Sequence, residues 1–254
     1  MKFPLFPMSL ALVFVCFIST EAQKHKPVSV TKPASQKVRE IGNTAVVIDE
    51  TLSVLRLKPS LFADAIKRMR RGRRVQILGL AEADGVKFYK VAAPPGNLGW
   101  MQSEAVFGKF RSTDEERFAR LVQATDGFDQ IELAATFLQT YPASRFRPPI
   151  LLLFGDLVED AAAKLSRDAT SRLSRREMAA SGAPLHSYYL NFSMLDRYRR
   201  LGVTFLFNPS TRTFHYNGAS WREIIRKFPA STETAEAQKR LDSLKVKLEQ
   251  QPAS

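Results

Sequence analysis

The sequence predicts a multidomain β + α protein: a small β-barrel followed by an irregular domain of helical hairpins with one inserted β-hairpin. Three observations lead to this fold class. Short β-rich runs separated by turn residues fill 43–110, a helical period takes over in 111–254, and alternating apolar residues return at 203–216. The 254 residues, 44% of them hydrophobic, suffice for two ordinary domains and exclude a collagen-like or wholly disordered chain.

Residues 1–22 have the pattern of a secretory signal peptide. Lys2 precedes an apolar core, 10–18, that is short for a bilayer span, and Thr20 and Ala22 place small residues before a cleavage site after Ala22. We therefore predict an extracytoplasmic protein, periplasmic or secreted. An uncleaved segment would instead tether it to the membrane, as its sole membrane contact. Cleavage would also remove Cys16, the single cysteine, and with it the nucleophile of a papain-like wall peptidase.

Residues 23–42 predict a basic flexible tether, because they are polar, contain two prolines and show little periodicity. The tether is either an attachment arm for anionic surfaces or a solvated spacer. The whole chain carries 38 Lys and Arg against 25 Asp and Glu, a formal charge of +13. The basic residues concentrated in 67–74 predict an anionic partner, which could be an acidic wall polymer, lipid headgroups or an acidic protein. Nucleic acid is not expected outside the cytoplasm.

Residues 43–110 predict the barrel. Strand-like runs occupy 44–48, 52–57, 75–80, 86–91 and 99–101, and turn residues separate most of them. Asp84-Gly85 between two such runs predicts a tight hairpin.

Several motifs in this segment resemble the bacterial SH3-like domain family. Leu55-Arg56 followed by Pro59-Ser60 resembles the family's opening strand and turn, and Gly72 followed by Val75 and Ile77 resembles its glycine-turn-strand step. Phe88-Tyr89-Lys90-Val91 corresponds to its central strand, and Gly99-Trp100-Met101 to its closing Gly-Trp step. The resemblance covers about a quarter of the chain and implies a small barrel that binds a peptide or wall ligand. The stretch 61–74 departs from the family by being longer and more basic.

Residues 111–254 predict helices. Thr113 and Glu116 have capping-box spacing ahead of the first helix. The second ends at Pro142, the third starts at Pro148-Pro149, a fourth covers 184–201, and two more follow the hairpin at 203–216.

Two corners within this region repeat 87 positions apart. Tyr141-Pro142-Ala143-Ser144 and Phe228-Pro229-Ala230-Ser231 each follow an apolar helix and precede another. The proline ends one helix and the serine can cap the next. This corner resembles the helix turns of tetratricopeptide-like repeats in exported bacterial proteins, which implies a surface for a protein partner.

The candidate binding residues lie in the barrel. Six basic residues crowd 67–74, and we expect Arg70, Arg71, Arg73 and Arg74 to attract anions, because guanidinium groups suit phosphates and carboxylates. The alternative is a solvated amphipathic helix-turn with Ile66 and Met69 facing inward. Tyr89 and Trp100 either line a groove or belong to the core.

No metal site, cofactor motif or catalytic residue is predicted. His25, His186 and His215 are far apart, and His215 is expected at a surface or edge. Asp156, Glu159 and Asp160 cluster on one helix, where a carboxylate pair could serve glycoside cleavage. The leading prediction is a non-enzymatic binding or scaffold protein of the cell envelope. The alternatives are a cell-wall hydrolase, or its regulatory subunit, with an unrecognised carboxylate site, and a structural part of an envelope complex.

Overall fold

A computed structural model describes residues 40–249, and all of them fall within one compact unit. The predicted signal peptide and all but the last three residues of the predicted tether lie outside the described residues. The described chain combines a curled antiparallel sheet with several helices, so the mixed β + α class is confirmed. The division into two domains near residue 110 stays a prediction.

The sheet has seven strands and curls into a half-barrel. They are β1 (Thr44–Val47), β2 (Val54–Arg56), β3 (Ala65–Arg68), β4 (Arg74–Ala83), β5 (Val86–Ala93), β6 (Asn97–Gln102) and β7 (Val106–Phe107). Their spatial order is β3-β2-β6-β5-β4-β1-β7. Asp84 and Gly85, between β4 and β5, both have positive φ (53° and 72°), so the predicted tight hairpin turn is confirmed.

Strand β1 is buried on both faces. Ala45 and Val47 point into the barrel, whereas Val46 and Ile48 pack in the core of the helical region. This explains why the strand is a continuous apolar run instead of an alternating one. The outer face of the sheet is therefore covered by helices at its β1 and β7 end.

Strand β3 corrects the helix-turn alternative for the basic segment. Ala65–Arg68 pairs antiparallel with β2, with Leu55 opposite Lys67, and all four residues are exposed. Met69 is buried as expected, but Ile66 is 45% exposed. An edge strand rich in charge is a common protection against unwanted strand pairing, and it carries no apolar alternation by which the sequence could reveal it.

The rest of the described chain is helical apart from one hairpin. The helices are α1 (Asp114–Ala124), α2 (Gly127–Thr140), α3 (Arg147–Arg172), α4 (Arg175–Ser181), α5 (Leu185–Leu190), α6 (Asp196–Arg199), α7 (Ala219–Lys227) and α8 (Thr234–Glu249), and the hairpin consists of β8 (Phe205–Asn208) and β9 (Thr213–Tyr216). The hairpin predicted at 203–216 is thus confirmed. Within residues 40–249, no helix combines the length and the hydropathy needed to cross a membrane.

The two predicted corners have the same backbone hydrogen bonds. The N–H of Tyr141 donates to the Phe137 carbonyl (2.9 Å), and that of Phe228 donates to the Ile224 carbonyl (2.8 Å). Each aromatic carbonyl then accepts from the serine of its own corner. The corners join α2 to α3 and α7 to α8, so the region contains two similar helical hairpins.

Helix α7 packs closely on α3 at Gly155. A Cβ atom there would lie 2.3 Å from Nε1 of the buried Trp221. Only a residue without a side chain permits this approach, which holds the two helical hairpins side by side.

Two local predictions in the helical region are wrong. Residues 184–201 do not form one helix, because Phe192 leaves the helical conformation (φ −59°, ψ 118°) and its side chain turns into the core. Helices α5 and α6 flank this break, and α4 was not predicted. The Thr113 side chain makes no cap bond. Asp114, the first residue of α1, instead connects the helix start to the preceding turn, because its carboxylate accepts from the Gly108 N–H (2.9 Å) and from Arg111 Nε (2.8 Å).

Candidate binding surface

The outer face of the sheet remains open over β4, β5 and β6. Strand alternation turns every second residue of these strands away from the barrel interior. We call the resulting surface the open face; its residues are Arg74, Gln76, Leu78, Lys90, Ala92, Leu98 and Trp100. Leu78 and Leu98 are 42% and 52% exposed, so the open face is apolar as well as basic.

Trp100 lies half-buried on the open face between two cations. It is paired across the sheet with Lys90 on one side and Arg56 on the other. Arg56 Nη1 donates to the Ala63 carbonyl (2.7 Å), whereas Lys90 has no ion pair or hydrogen bond through its side chain with any described residue. A half-exposed indole beside a cation is a common feature of recognition surfaces.

Gly99 explains the Gly-Trp step. A Cβ atom at this position would lie 2.7 Å from Leu55 Cγ and 2.8 Å from the Arg56 carbonyl oxygen. The glycine therefore allows β2 to cross β6 closely. This close crossing holds Trp100 opposite Arg56.

Tyr89 does not line a surface groove, because it is 0% exposed and packs inside the barrel. Its hydroxyl donates to Glu40 Oε2 (2.9 Å), and Lys87 Nζ lies 2.7 Å from the same oxygen. Burial raises the pKa of Tyr89 well above its ordinary value, so the hydroxyl stays protonated. Of the two alternatives open from the sequence, Tyr89 takes the core position and Trp100 the surface position.

The basic segment 67–74 does not act as one cluster. Arg71 Nη1 lies 3.3 Å from Glu132 and 3.4 Å from Asp129, and its Nε donates to the Ile48 carbonyl (3.1 Å). Arg73 donates to the Pro94 carbonyl. These two arginines connect parts of the structure and are not available to a ligand in the way predicted.

Three cations of the segment remain exposed and unpaired. Lys67, Arg70 and Arg74 have no ion-pair or side-chain hydrogen-bond partner within residues 40–249. Of the four arginines predicted to bind anions, Arg70 and Arg74 therefore remain the candidates. Arg74 alone also belongs to the open face.

Arg74 and Thr44 line two adjoining clefts. The first, of about 490 Å³, crosses the end of the open face and is otherwise lined by Val75, Gln76, Ala92, Ala93, Pro94, Gly96, Asn97 and Leu98. The second, of about 370 Å³, lies between the sheet and the end of α2 and is otherwise lined by Asn43, Ala45, Val46, Lys109, Phe110, Gln139 and Thr140. None of these residues is acidic. Sequence reasoning missed Lys109, Gln139 and Thr140, since only the fold brings them to Arg74.

Two of the three carboxylates considered for catalysis, Asp156 and Glu159, are ion-paired with cations from other elements. Asp156 accepts from Arg240 through both oxygens (3.0 and 3.2 Å). Glu159 accepts from His215 Nδ1 (3.0 Å), from the Tyr216 N–H (2.8 Å) and from Lys247 Nζ (2.8 Å). Burial alone would raise the pKa of Glu159, but the bonds from His215 and Lys247 outweigh it and lower the pKa to about 2. A carboxylate held ionised in this way is a poor proton donor.

His215 is not the surface residue expected, because it is only 9% exposed. Its Nε2 lies 2.9 Å from the Thr213 hydroxyl and its Nδ1 contacts Glu159, so the ring fastens β9 to α3. Among the described residues, no group of three or more His, Cys, Asp or Glu side chains is arranged to hold a metal ion.

No family model, curated protein or solved structure matches this chain. The case for a function consequently rests on the residues and on the geometry of the open face and its clefts.

Proposed function

We propose that the protein is an exported, non-enzymatic binding and scaffold protein of the bacterial cell envelope. Its SH3-like barrel binds a peptide or an anionic wall ligand, and its tetratricopeptide-like helical region binds a protein partner. The observation that carries the proposal is the open face, where Trp100 and Leu98 stay accessible beside Lys90 and Arg74, two cations without an acidic partner in residues 40–249. A surface that is both apolar and uncompensated in charge is typical of a binding site.

The SH3-like assignment draws support from the closing Gly-Trp step. The close contact of Gly99 with β2 explains why a residue without a side chain is needed at this position of the curled sheet. The tetratricopeptide-like assignment draws support from the two corners with matching hydrogen bonds. A groove between α7 and α8, containing Ile225 and Leu241 with Arg222 and Arg226, is the surface that we assign to the protein partner.

The hydrolase alternative has less support. It needs a carboxylate that can donate or accept a proton, whereas Asp156 and Glu159 are held by cations from other elements. Asp160 is exposed beside them, and one exposed carboxylate does not make the pair that glycoside cleavage requires.

Sedimentation with isolated wall and membrane fractions tests the proposal. We expect the purified protein to sediment with envelope material at low salt and to be released at high salt, because screening weakens exposed charge interactions. A variant with Arg70→Gln, Arg74→Gln and Lys90→Gln should lose most of this binding. The matched control, Lys164→Gln with Arg167→Gln and Lys245→Gln, removes three exposed charges from the helical region and should bind as the parent does.

Other outcomes would overturn the proposal. If the variant with Arg70→Gln, Arg74→Gln and Lys90→Gln binds envelope material as tightly as the parent at both salt concentrations, these three cations do not form the attachment site. Release of soluble wall fragments that a single Asp or Glu substitution abolishes would establish the hydrolase. A stoichiometric protein partner with no affinity for envelope material would establish the purely structural role.

A further inference from the structure

The two clefts share Arg74 and Thr44 in their linings, and together these linings extend from Leu98 to Thr140; we call the two clefts together the groove. We propose that this groove binds a linear anionic saccharide, with Arg74 and Lys109 on its acidic groups. The inference rests on the proposed binding role and adds to it the chemical class of the ligand and the place where it is held.

The two cations of the groove favour an anionic ligand. Arg74 and Lys109 are both exposed, and neither side chain has an ion pair or a hydrogen bond in the part of the chain that the structure describes. With no acidic residue in the lining, nothing there offsets the two cations. A guanidinium group can bind a carboxylate or a phosphate through two parallel hydrogen bonds, and Lys109 adds a second point charge.

The remaining lining favours a sugar. Exposed hydroxyl and amide groups, which both donate and accept hydrogen bonds as sugar hydroxyls do, come from Thr44, Gln76 and Gln139. Asn43, Asn97 and Thr140 also line the clefts, but their side chains donate to backbone carbonyls and offer a ligand mainly their oxygens. Phe110 supplies an apolar ring surface in the second cleft. The mixture of short polar groups with one aromatic ring matches the alternating polar and apolar surfaces of a pyranose.

The position of the groove argues against an extended peptide. Peptides commonly bind sheets by adding a strand at an edge, where backbone groups are unpaired. The edges of this sheet are β3 and β7, whereas the first cleft lies mainly over β4 and β5, which have neighbouring strands on both sides. An acidic peptide would therefore find Arg74 in this cleft but no free sheet edge along β4 and β5.

The size of the groove indicates an oligomer. Each cleft, at about 490 and 370 Å³, falls within the usual range of about 300–1,000 Å³ for a small-molecule site. Two clefts that share Arg74 and Thr44 can accommodate successive units of a linear chain, with Arg74 lining both.

Calorimetric titration of the purified full chain tests the inference. The probes are an oligogalacturonate, a phosphorylated malto-oligosaccharide, the neutral malto-oligosaccharide of the same length, and polyglutamate of equal charge. We expect one or both anionic saccharides to bind and the neutral one to bind at least about tenfold more weakly. The carboxylate and phosphate probes together identify the acidic group.

Single substitutions locate the site. Arg74→Gln and Lys109→Gln should each weaken binding of the anionic saccharide about tenfold, and Gln139→Ala, which changes no charge, about threefold. Lys164→Gln and Arg167→Gln remove exposed charges of the helical region, far from the groove along the chain, and should change the affinity less than about twofold. All five side chains are exposed, so melting temperatures should stay close to that of the parent and exclude misfolding as the cause.

Three results would overturn the inference and each leaves a different conclusion. Equal effects of Lys164→Gln and Arg74→Gln would mean diffuse charge attraction instead of a groove. Polyglutamate binding as tightly as the saccharides, with no effect of Gln139→Ala, would mean an acidic peptide. If no anionic saccharide binds while envelope sedimentation persists, the inference fails alone, and if both fail, the proposed function fails with it.

Discussion

The helical region and the open face of the sheet use charge in opposite ways. In the helical region, acidic groups pair with cations from distant elements, in the pairs Arg147–Glu223, Arg240–Asp156 and Lys247–Glu159. On the open face, Lys90 and Arg74 have no such partner among the described residues. The comparison shows that acids of the helical region connect α3 to α7 and α8, whereas no acidic residue belongs to the open face. Exposed cations without an acidic partner among the described residues, such as Lys164, also occur in the helical region, so a missing partner alone does not mark a site.

The ion pairs connect the two helical hairpins. They join residues 76, 84 and 88 positions apart, and each has one partner in α3 and the other in α7 or α8. Charge in this region therefore records the docking of the two hairpins.

The largest loss of stability should come from removing Glu159, whose carboxylate accepts three hydrogen bonds in the helical region. Glu159→Ala leaves the His215 ring, the Tyr216 N–H and the Lys247 ammonium without their partner, at a cost of about 4 kcal/mol in the free energy of unfolding. Urea denaturation measures it. The neighbouring exposed residue provides the control, because Asp160→Ala should cost less than about 0.5 kcal/mol. Equal costs for the two variants would show that the network does not hold the helical region.

The stability of the protein at low pH should depend on the ionisation of Glu159. The pKa of Glu159 falls from about 4.5 to about 2 in the folded protein. A lowered pKa means that its contribution is complete above about pH 4.5 and is lost as the pH falls toward 2. We expect the stability difference between the parent and Glu159→Gln to shrink from about 3 kcal/mol at neutral pH to near zero at pH 2.

Measuring this difference, instead of the parent alone, is essential. Burial raises the pKa of Asp114, so that carboxyl acts in the opposite sense, and taking the difference cancels it. A difference that stays constant between about pH 5 and pH 2 would mean that the ionised form of Glu159 contributes nothing.

Tyr89 and Trp100 should separate stability from binding. Tyr89→Phe removes the hydroxyl that donates to Glu40 and should lower stability by about 1–2 kcal/mol without changing envelope binding. Trp100→Ala should weaken binding about tenfold and leave the protein folded. Denaturation and sedimentation of both variants check this, and loss of binding in Tyr89→Phe would place the site inside the barrel mouth instead of on the open face.

The smallest effect distinguishes two arginines of the same segment. Arg71→Gln loses its contacts with Glu132 and Asp129 and should cost about 1 kcal/mol. Arg74→Gln removes an unpaired charge and should change stability by less than about 0.5 kcal/mol. Thermal denaturation at low salt resolves the two, and a larger cost for Arg74→Gln would reveal a structural partner for it.

Prediction from the sequence succeeded where local chemistry decides the structure. The Asp84-Gly85 turn, the two aromatic-Pro-Ala-Ser corners and the hairpin after Gly202 follow from backbone preferences of a few adjacent residues. It failed at 65–68, which is a strand only because β2 lies beside it, and at Phe192, which leaves the helix because the core accepts its side chain.

The candidate site was predictable in composition but not in arrangement. The order of residues along the chain shows that 67–74 is basic and that Tyr89 and Trp100 are aromatic candidates in predicted strands. Only the folded arrangement shows that Arg71 is held by Glu132, 61 positions away, and that Tyr89 faces inward and Trp100 outward. It also brings Lys109 to the same cleft as Arg74. The physical reason is that turns and periodicity depend on neighbours along the chain, whereas the availability of a charge depends on whether the fold places an opposite charge within a few ångströms of it.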